Sequence, residues 1–140
     1  MDWKLELVMV PVTDVDRARS FYAEKLGFTV DVDHQAGDEF RVVQLTPPGS
    51  ACSISIGKGI TTATPGSTQG LYLIVSDILA AHQELIERGT EVSDIFQFAE
   101  GGQVPGPHPK RGKYESFFSF SDPDGNGWMV QEVPQEEQES

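Results

Sequence analysis

The fold is decided by the stretch VPVTDVDRARSFY, residues 10–22, and by a second copy of its pattern, LIVSDILAAH, at residues 73–82. In each copy an apolar, β-branched segment leads to two residues whose side chains suit the N-cap of a helix, Thr13 or Asp14 in the first copy and Ser76 or Asp77 in the second. Apolar residues then recur at helical spacing, and a glycine follows at the expected helix end. The chain therefore repeats one strand–helix unit, and such a repeat takes priority in predicting the fold.

Segments typical of β-strands surround the two predicted helices. Strands are predicted at residues 5–12, 28–33, 40–46 and 51–56 in the first half, and at 71–75, 90–95, 117–121 and 128–133 in the second. Because strands and helices do not alternate throughout, a doubly wound parallel sheet is excluded. The prediction is a single α+β domain over residues 1–134, built from two βαβββ modules at about 1–60 and 66–134, with an acidic tail at 135–140.

The composition excludes several classes of partner. The 140 residues include 10 Lys and Arg against 22 Asp and Glu, a formal net charge of −12. A surface this acidic repels nucleic-acid phosphates and anionic lipid headgroups, so neither nucleic acid nor a membrane is an expected partner. Cys52 has no second cysteine to pair with and is expected to be a small buried residue rather than a nucleophile. Without a signal-peptide pattern, the protein is expected to be cytoplasmic.

The repeat, the sequence LGF at residues 26–28 and SDPDGNGW at residues 121–128 together resemble the vicinal oxygen chelate superfamily. This superfamily includes glyoxalase I, extradiol dioxygenases and bleomycin-resistance proteins, and the resemblance extends over residues 5–133. It implies eight strands curled into a cleft-bearing sheet with the helices on the convex side, often completed by a dimer. In its metal enzymes, four side chains hold one divalent ion that acts as a Lewis acid.

The positions that resemble those metal ligands carry other residue types here. They fall on Leu7, on Ser53 or Ser55, on Gly70 and on Met129, the choice between the serines being open by two residues. None of these is a credible ligand for Ni, Zn, Fe or Mn, which prefer His nitrogen and carboxylate oxygen. The sequence therefore predicts a protein without a bound metal or other cofactor.

Strand alternation then predicts the residues that face the cleft. They form an apolar set with a few polar tips and comprise Leu7, Met9, Gln44, Ser53 or Ser55, Tyr72, Met129 and Gln131. Of the three histidines, His34 is expected to be exposed and His82 to lie at the border of the second helix.

The stretch from residue 97 to 115 has no predicted element and holds the densest basic cluster of the chain. It is interpreted either as a lid over the cleft or as a dimer strap. As a lid, it would bring Arg111 to an anionic or electron-rich ligand, so that replacing Arg111 would weaken binding and leave folding nearly unchanged. His108, Tyr114 and Glu115 are weak candidates for an acid–base set.

Three functions compete at this stage. The first is metal-independent binding of a small aromatic or anionic molecule in the cleft, as in the bleomycin-resistance branch. The alternative is a metal-independent lyase, isomerase or cyclase that acts on a small metabolite. The third is a regulatory protein that acts through protein contacts. A homodimer is expected, because an apolar cleft leaves more exposed hydrophobic area than a monomer usually tolerates.

Overall fold

Two β-sheets, each packed against one helix, form the framework of the protein. This computed structural model describes residues 1–135. The chain divides into two units, and each unit combines a β-sheet with a helix. The first contains residues 1–68 and 122–126, and the second contains residues 69–121 and the chain from 127 onwards.

The first unit follows the predicted order of strand, helix and three strands. Its elements are β1 (Leu7–Met9), α1 (Val15–Ser20), a π-helical turn (Phe21–Lys25), β2 (Thr29–Ala36), β3 (Phe40–Thr46) and β4 (Ser53–Lys58). In the sheet order β1-β4-β3-β2, β1 runs parallel to β4 and the other neighbours are antiparallel. Asp14 accepts a hydrogen bond from the Arg17 backbone N–H and thereby caps α1, as predicted.

The alternation predicted for the first sheet is correct. The buried residues on the side that packs with α1 are Val10, Val43, Leu45, Ile54 and Ile56, together with Ala18 and Tyr22 from the helix and its π-helical turn. The other face carries Leu7, Met9, Gln44, Ser53 and Ser55, as predicted from the period of two.

A turn at residues 122–126 completes the first unit through a buried polar network. The Asp122 carboxylate accepts hydrogen bonds from the Tyr22 hydroxyl at 2.7 Å and from the Asn126 side-chain amide at 2.8 Å. Asn126 also donates to the Pro11 carbonyl at 2.8 Å. Asp122 is buried and needs these donors, because an unsatisfied buried carboxylate is strongly unfavourable. The turn formed by the Asp-Pro-Asp-Gly sequence, residues 122–125, therefore contributes to the packing of the first unit.

The second unit places a five-stranded sheet against a longer helix. Its elements are β5 (Leu71–Val75), α2 (Ile78–Glu87), β6 (Phe96–Ala99), β7 (Gly102–Pro105), β8 (Phe117–Ser121) and β9 (Gly127–Glu132), in the sheet order β5-β9-β8-β6-β7. Asp77 caps α2 by accepting from the backbone N–H groups of Leu79 and Ala80. On the helix side, the rings of Phe120 and Trp128 stack with centroids 6.0 Å apart.

Two predictions for the second half were wrong. Residues 90–95 do not form a strand, and residues 97–115 are not without regular structure, because the hairpin β6–β7 occupies 96–105. Gly101 and Gly102 have φ values of 91° and 119°, a left-handed conformation that suits glycine in the tight turn of this hairpin. The described residues consequently contain nine strands instead of eight, and the second module has four strands after its helix.

Three further points concern Cys52, membrane-spanning helices and the acidic tail. Cys52 is half-buried rather than fully buried. No helix among residues 1–135 has the length and hydropathy needed to cross a membrane. The acidic tail, with Glu136, Glu137 and Glu139, lies outside the described residues apart from Gln135.

Replacing Tyr22 by Phe should lower the free energy of unfolding by about 1–2 kcal/mol, because it removes one donor from a buried carboxylate. Urea denaturation followed by circular dichroism measures the change. Tyr114→Phe is the matched control, since the Tyr114 side chain is exposed. Equal stabilities for the two variants would show that the Tyr22–Asp122 hydrogen bond contributes nothing.

Candidate ligand-binding site

The sheet face of the second unit that does not pack on α2 is largely apolar. Alternation along β5 and β9 places Leu73 and Val130 on the helix side and Tyr72 and Met129 on the opposite, free face. Tyr72 is exposed, and Met129, directly opposite it in the register, is half-buried. Gln131 lies on the same face, two residues further along β9, so all three second-sheet residues predicted from parity are on one surface.

Two adjacent pockets lie on this free face. The Tyr72 pocket has a volume of about 250 Å³ and is lined by Gln69, Gly70, Tyr72, Ser119, Phe120, Ser121, Gly127, Trp128 and Met129. The Phe96 pocket has a volume of about 330 Å³ and is lined by Ser93, Asp94, Ile95, Phe96, Gln103, Val104, Pro105, Ser119 and Met129. Ser119 and Met129 belong to both pockets and pair across β8 and β9. These two residues therefore form the boundary that the pockets share.

The sequence missed most of the Phe96 pocket. Its wall is formed by the hairpin β6–β7, which was predicted to be irregular, and by residues 93–95, which were predicted to be a strand. The apolar alternation Phe96, Phe98 and the glycine pair after it were the signals that could have revealed the hairpin.

The free face of the first sheet is more polar than the sequence indicated. Ser53 and Ser55 are two residues apart on β4, so both lie on this face, and both are buried. The Ser53 hydroxyl lies 2.6 Å from the Thr46 hydroxyl and accepts from the Gln44 amide at 3.4 Å. Thr46 in turn bonds to the Asp31 carboxylate. Leu7 and Met9, on the neighbouring β1, complete the residues predicted for this face and remain predicted ligand contacts.

The residues at the implied metal positions do not suit a transition metal. Leu7 and Gly70 have no donor atom in their side chains, and the Ser53 hydroxyl is already hydrogen-bonded within the first sheet. Met129 offers only a thioether, a weak ligand for the metals in question. Within residues 1–135, no group of three or more His, Cys, Asp or Glu side chains is arranged to hold a metal ion. The donor chemistry of these positions thus argues against the four-ligand centre of the metal enzymes.

Arg111 is held in an ion-paired network. Its guanidinium donates to both carboxylate oxygens of Glu132, with Nε–Oε1 at 2.9 Å and Nη2–Oε2 at 2.7 Å, and to Asp77 at 3.0 Å. Glu132 is only 1% exposed and also accepts from the Ile78 backbone N–H at the start of α2. Arg111 adopts a φ of 50°, a left-handed conformation that a non-glycine residue needs contacts to maintain.

These contacts shift the titration of the groups involved. The hydrogen bond and charge of Glu132 raise the pKa of Arg111, with a smaller contribution from Asp77. The backbone N–H of Ala80 and the positive charge of Arg111 lower the pKa of Asp77. Arg111 does not line either pocket. We therefore propose a structural role for Arg111 in place of the ligand contact predicted from sequence.

Among the three acid–base candidates, the structure places the side chains of His108 and Glu115 in contact. His108 Nδ1 lies 2.8 Å from a Glu115 carboxylate oxygen, and the His108 backbone N–H donates to the buried Ser116 hydroxyl at 3.0 Å. Tyr114 is exposed, and the Lys113 ammonium lies 5.0 Å from the centre of its ring. None of the three candidates lines either pocket. His82, predicted at the border of α2, hydrogen-bonds the Ser93 carbonyl at 2.8 Å.

Comparison with known proteins agrees with the sheet arrangement and the repeat. A family model described as Glyoxalase/Bleomycin resistance protein/Dioxygenase superfamily matches residues 4–130. The chain belongs to this superfamily. The resemblance seen in the sequence is thereby confirmed.

Solved structures of superfamily members resemble the chain over nearly its whole length. TnmS3, described as an antibiotic binding protein from Streptomyces sp. CB03234, is 32% identical, with a TM-score of 0.72 over 94% of this chain and 97% of that one. A glyoxalase/bleomycin resistance protein from the same organism is 34% identical, with a TM-score of 0.69 over 91% and 99% of the chains. A superfamily member from Sphaerobacter thermophilus is 28% identical, with a TM-score of 0.71 over 94% and 98%.

Among curated proteins, the uncharacterized protein YetH of Bacillus subtilis is 24% identical over 126 residues, which cover 89% of this chain and 94% of YetH.

Replacing Arg111 by Ala should lower the free energy of unfolding by about 3 kcal/mol, the low end of the range for leaving a buried charge unpaired. The low end applies because the guanidinium is 34% exposed and water can reach part of the site. This expectation reverses the one drawn from sequence, in which folding was unaffected. Urea denaturation measures it.

Lys113→Ala is the control for this experiment, because it removes a neighbouring cation that is exposed and should change stability by less than about 0.5 kcal/mol. If Arg111→Ala were as stable as Lys113→Ala, the ion pair with Glu132 would not stabilise the fold.

Proposed function

We propose that this protein binds a small aromatic molecule on the free face of its second sheet, without a metal ion. The observation that supports this most directly is the pair of pockets that meet at Met129, where the resemblance to the metal enzymes places a carboxylate ligand. A thioether at this position presents a polarisable apolar surface to a ligand and supplies no charge. Such a surface favours binding over metal-assisted catalysis.

The lining of both pockets fits an aromatic body. Tyr72 belongs to one pocket and Phe96 to the other, and rings favour stacked or edge-on contact with other rings. Ser119 and Gln103 offer polar groups that can orient a ligand. Pockets lined by apolar side chains with a few polar groups are typical of small-molecule sites. The description of TnmS3 as an antibiotic binding protein supports an antibiotic-like ligand for this chain too.

A metal-independent lyase, isomerase or cyclase is the second candidate function. The close contact between His108 and Glu115 supports it, because a carboxylate that holds a histidine ring is a common arrangement for proton transfer. Neither residue lines a pocket, so binding without catalysis remains the first proposal.

Replacing Met129 by Ala should weaken the binding of a neutral aromatic probe, 2-naphthalenemethanol, by about twofold to tenfold. The expected loss is that of one sulfur–aromatic contact, about 0.3–1.5 kcal/mol. Isothermal titration calorimetry measures the Kd. Ile86→Ala removes a comparable exposed apolar side chain on α2 and should leave the Kd unchanged.

The same titration, repeated after dialysis against EDTA, tests whether a metal takes part. We expect the same Kd and no stoichiometric Ni, Zn, Fe or Mn by elemental analysis. A Kd that rises on chelation and recovers with one of these metals would contradict metal-independent binding, and failure of the probe to bind at all would contradict the aromatic ligand class.

We also propose a homodimer. Tyr72, Ile74 and Phe98, which are spread over β5 and β6, are each more than half exposed. Extended apolar surface of this kind usually marks an interaction site, and a symmetric copy is its commonest partner in soluble proteins. Light scattering at micromolar concentration should give twice the chain mass of 15.3 kDa, and a mass of one chain would contradict the proposal.

A further inference from the structure

The Phe96 pocket contains one ionised group. Its lining is otherwise apolar or neutral, with Ile95, Phe96, Val104, Pro105 and Met129 as the apolar part. Asp94 contributes a carboxylate, and no Lys or Arg occurs among the residues that line either of the two pockets. An apolar pocket with a single negatively charged residue favours a cationic ligand over an anionic one. An anion that enters the pocket loses hydration and meets no Lys or Arg among the lining residues.

The Asp94 carboxylate is available to a ligand. Its side chain makes no hydrogen bond or ion pair with any of the residues that the structure describes, whereas its carbonyl accepts from the Ser93 hydroxyl. This differs from Asp77 and Glu132 in the same unit, which both form ion pairs with Arg111. Asp94 therefore has no ion-pair partner among the residues that the structure describes.

The backbone beside Asp94 is fixed although it belongs to no strand or helix. Ser93 donates its N–H to the Ser119 carbonyl at 2.9 Å, and its hydroxyl accepts from the Ser119 N–H at 2.9 Å. The His82 ring binds the Ser93 carbonyl from α2. Asp94 is thus attached to an anchored residue on the pocket rim, which limits the positions that its carboxylate can reach.

From these observations we infer that the pocket takes an aromatic molecule carrying a basic amine, with the ammonium group on the Asp94 carboxylate and the ring against Phe96 and Met129. This inference rests on the proposed binding function and names its ligand class. It replaces the anionic ligand expected from the basic cluster, whose Arg111 is occupied by Glu132 and Asp77. The formal net charge of −12 acts in the same direction, because it attracts cations to the protein surface.

Three probes with one ring system and different charge test the inference. They are 2-naphthylmethylamine, a cation at neutral pH, 2-naphthalenemethanol, which is neutral, and 2-naphthoate, an anion. The amine should bind about fivefold to tenfold more tightly than the alcohol, as expected for a charge-assisted hydrogen bond in a half-open pocket, and the carboxylate should bind most weakly. Calorimetry in low-salt buffer gives the three Kd values.

The variant Asp94→Asn should reduce the preference for the amine over the alcohol to near unity while leaving the Kd of the alcohol unchanged. Asp38→Asn is the matched control, since it changes the net charge equally at an exposed turn residue of the first unit and should keep the preference. This control separates a local contact with Asp94 from the general attraction of an acidic protein for cations.

Each outcome decides a different point. Equal affinities for the amine and the alcohol in the unmodified protein, or a preference that survives in Asp94→Asn, would overturn the inference and leave aromatic binding intact. A preference lost equally in Asp38→Asn would overturn it as well, in favour of net charge. Absence of binding by all three probes would overturn the proposed function itself, and the inference with it.

Discussion

A negative charge at Glu132, buried at the end of β9, constrains the arrangement of the second unit. A carboxylate removed from water needs charged or hydrogen-bonding partners, and Glu132 finds them in Arg111 and in the first N–H of α2. The segment that carries Arg111, the start of α2 and the last strand must therefore meet at one place. Because β9 also carries Met129, the partners of Glu132 help to fix the boundary between the two pockets. The stability of the fold and the shape of the binding face thus share one set of contacts.

Local features of this chain could be predicted from sequence because they depend on neighbouring residues. Asp14 and Asp77 cap their helices as expected, since capping involves backbone groups only two or three residues away. The period of two along β4 and β9 correctly placed Ser53 and Met129 on the free faces of their sheets. The strands at residues 40–46, 71–75 and 117–121 agree with their predicted bounds.

Features that depend on distant partners could not be predicted in this way. Arg111 and Glu132 are 21 positions apart in sequence, and nothing near Arg111 shows that a buried carboxylate needs it. A dense basic cluster in an acidic chain was therefore interpreted as a ligand contact, although its guanidinium is used within the fold. The hairpin β6–β7 was missed for a related reason. Its strands are only four residues each, and pairing with β8 involves Phe96, whose partner Phe117 lies beyond a long connection.

The ligand preference that we propose for this chain depends on which charges remain unpaired, rather than on how many there are. Most of its acidic residues affect only the overall field, which salt screens over about 10 Å. Asp77 and Glu132 share Arg111 as their ion-pair partner within the second unit, and neither lines the pocket. Asp94 is exposed at the rim of an apolar pocket and has no ion-pair partner among the described residues, so a ligand can reach its carboxylate. With Met129 at the position of a charged metal ligand, Asp94 is the one charged residue among those that line this pocket, and the charge of a ligand is therefore recognised there or not at all.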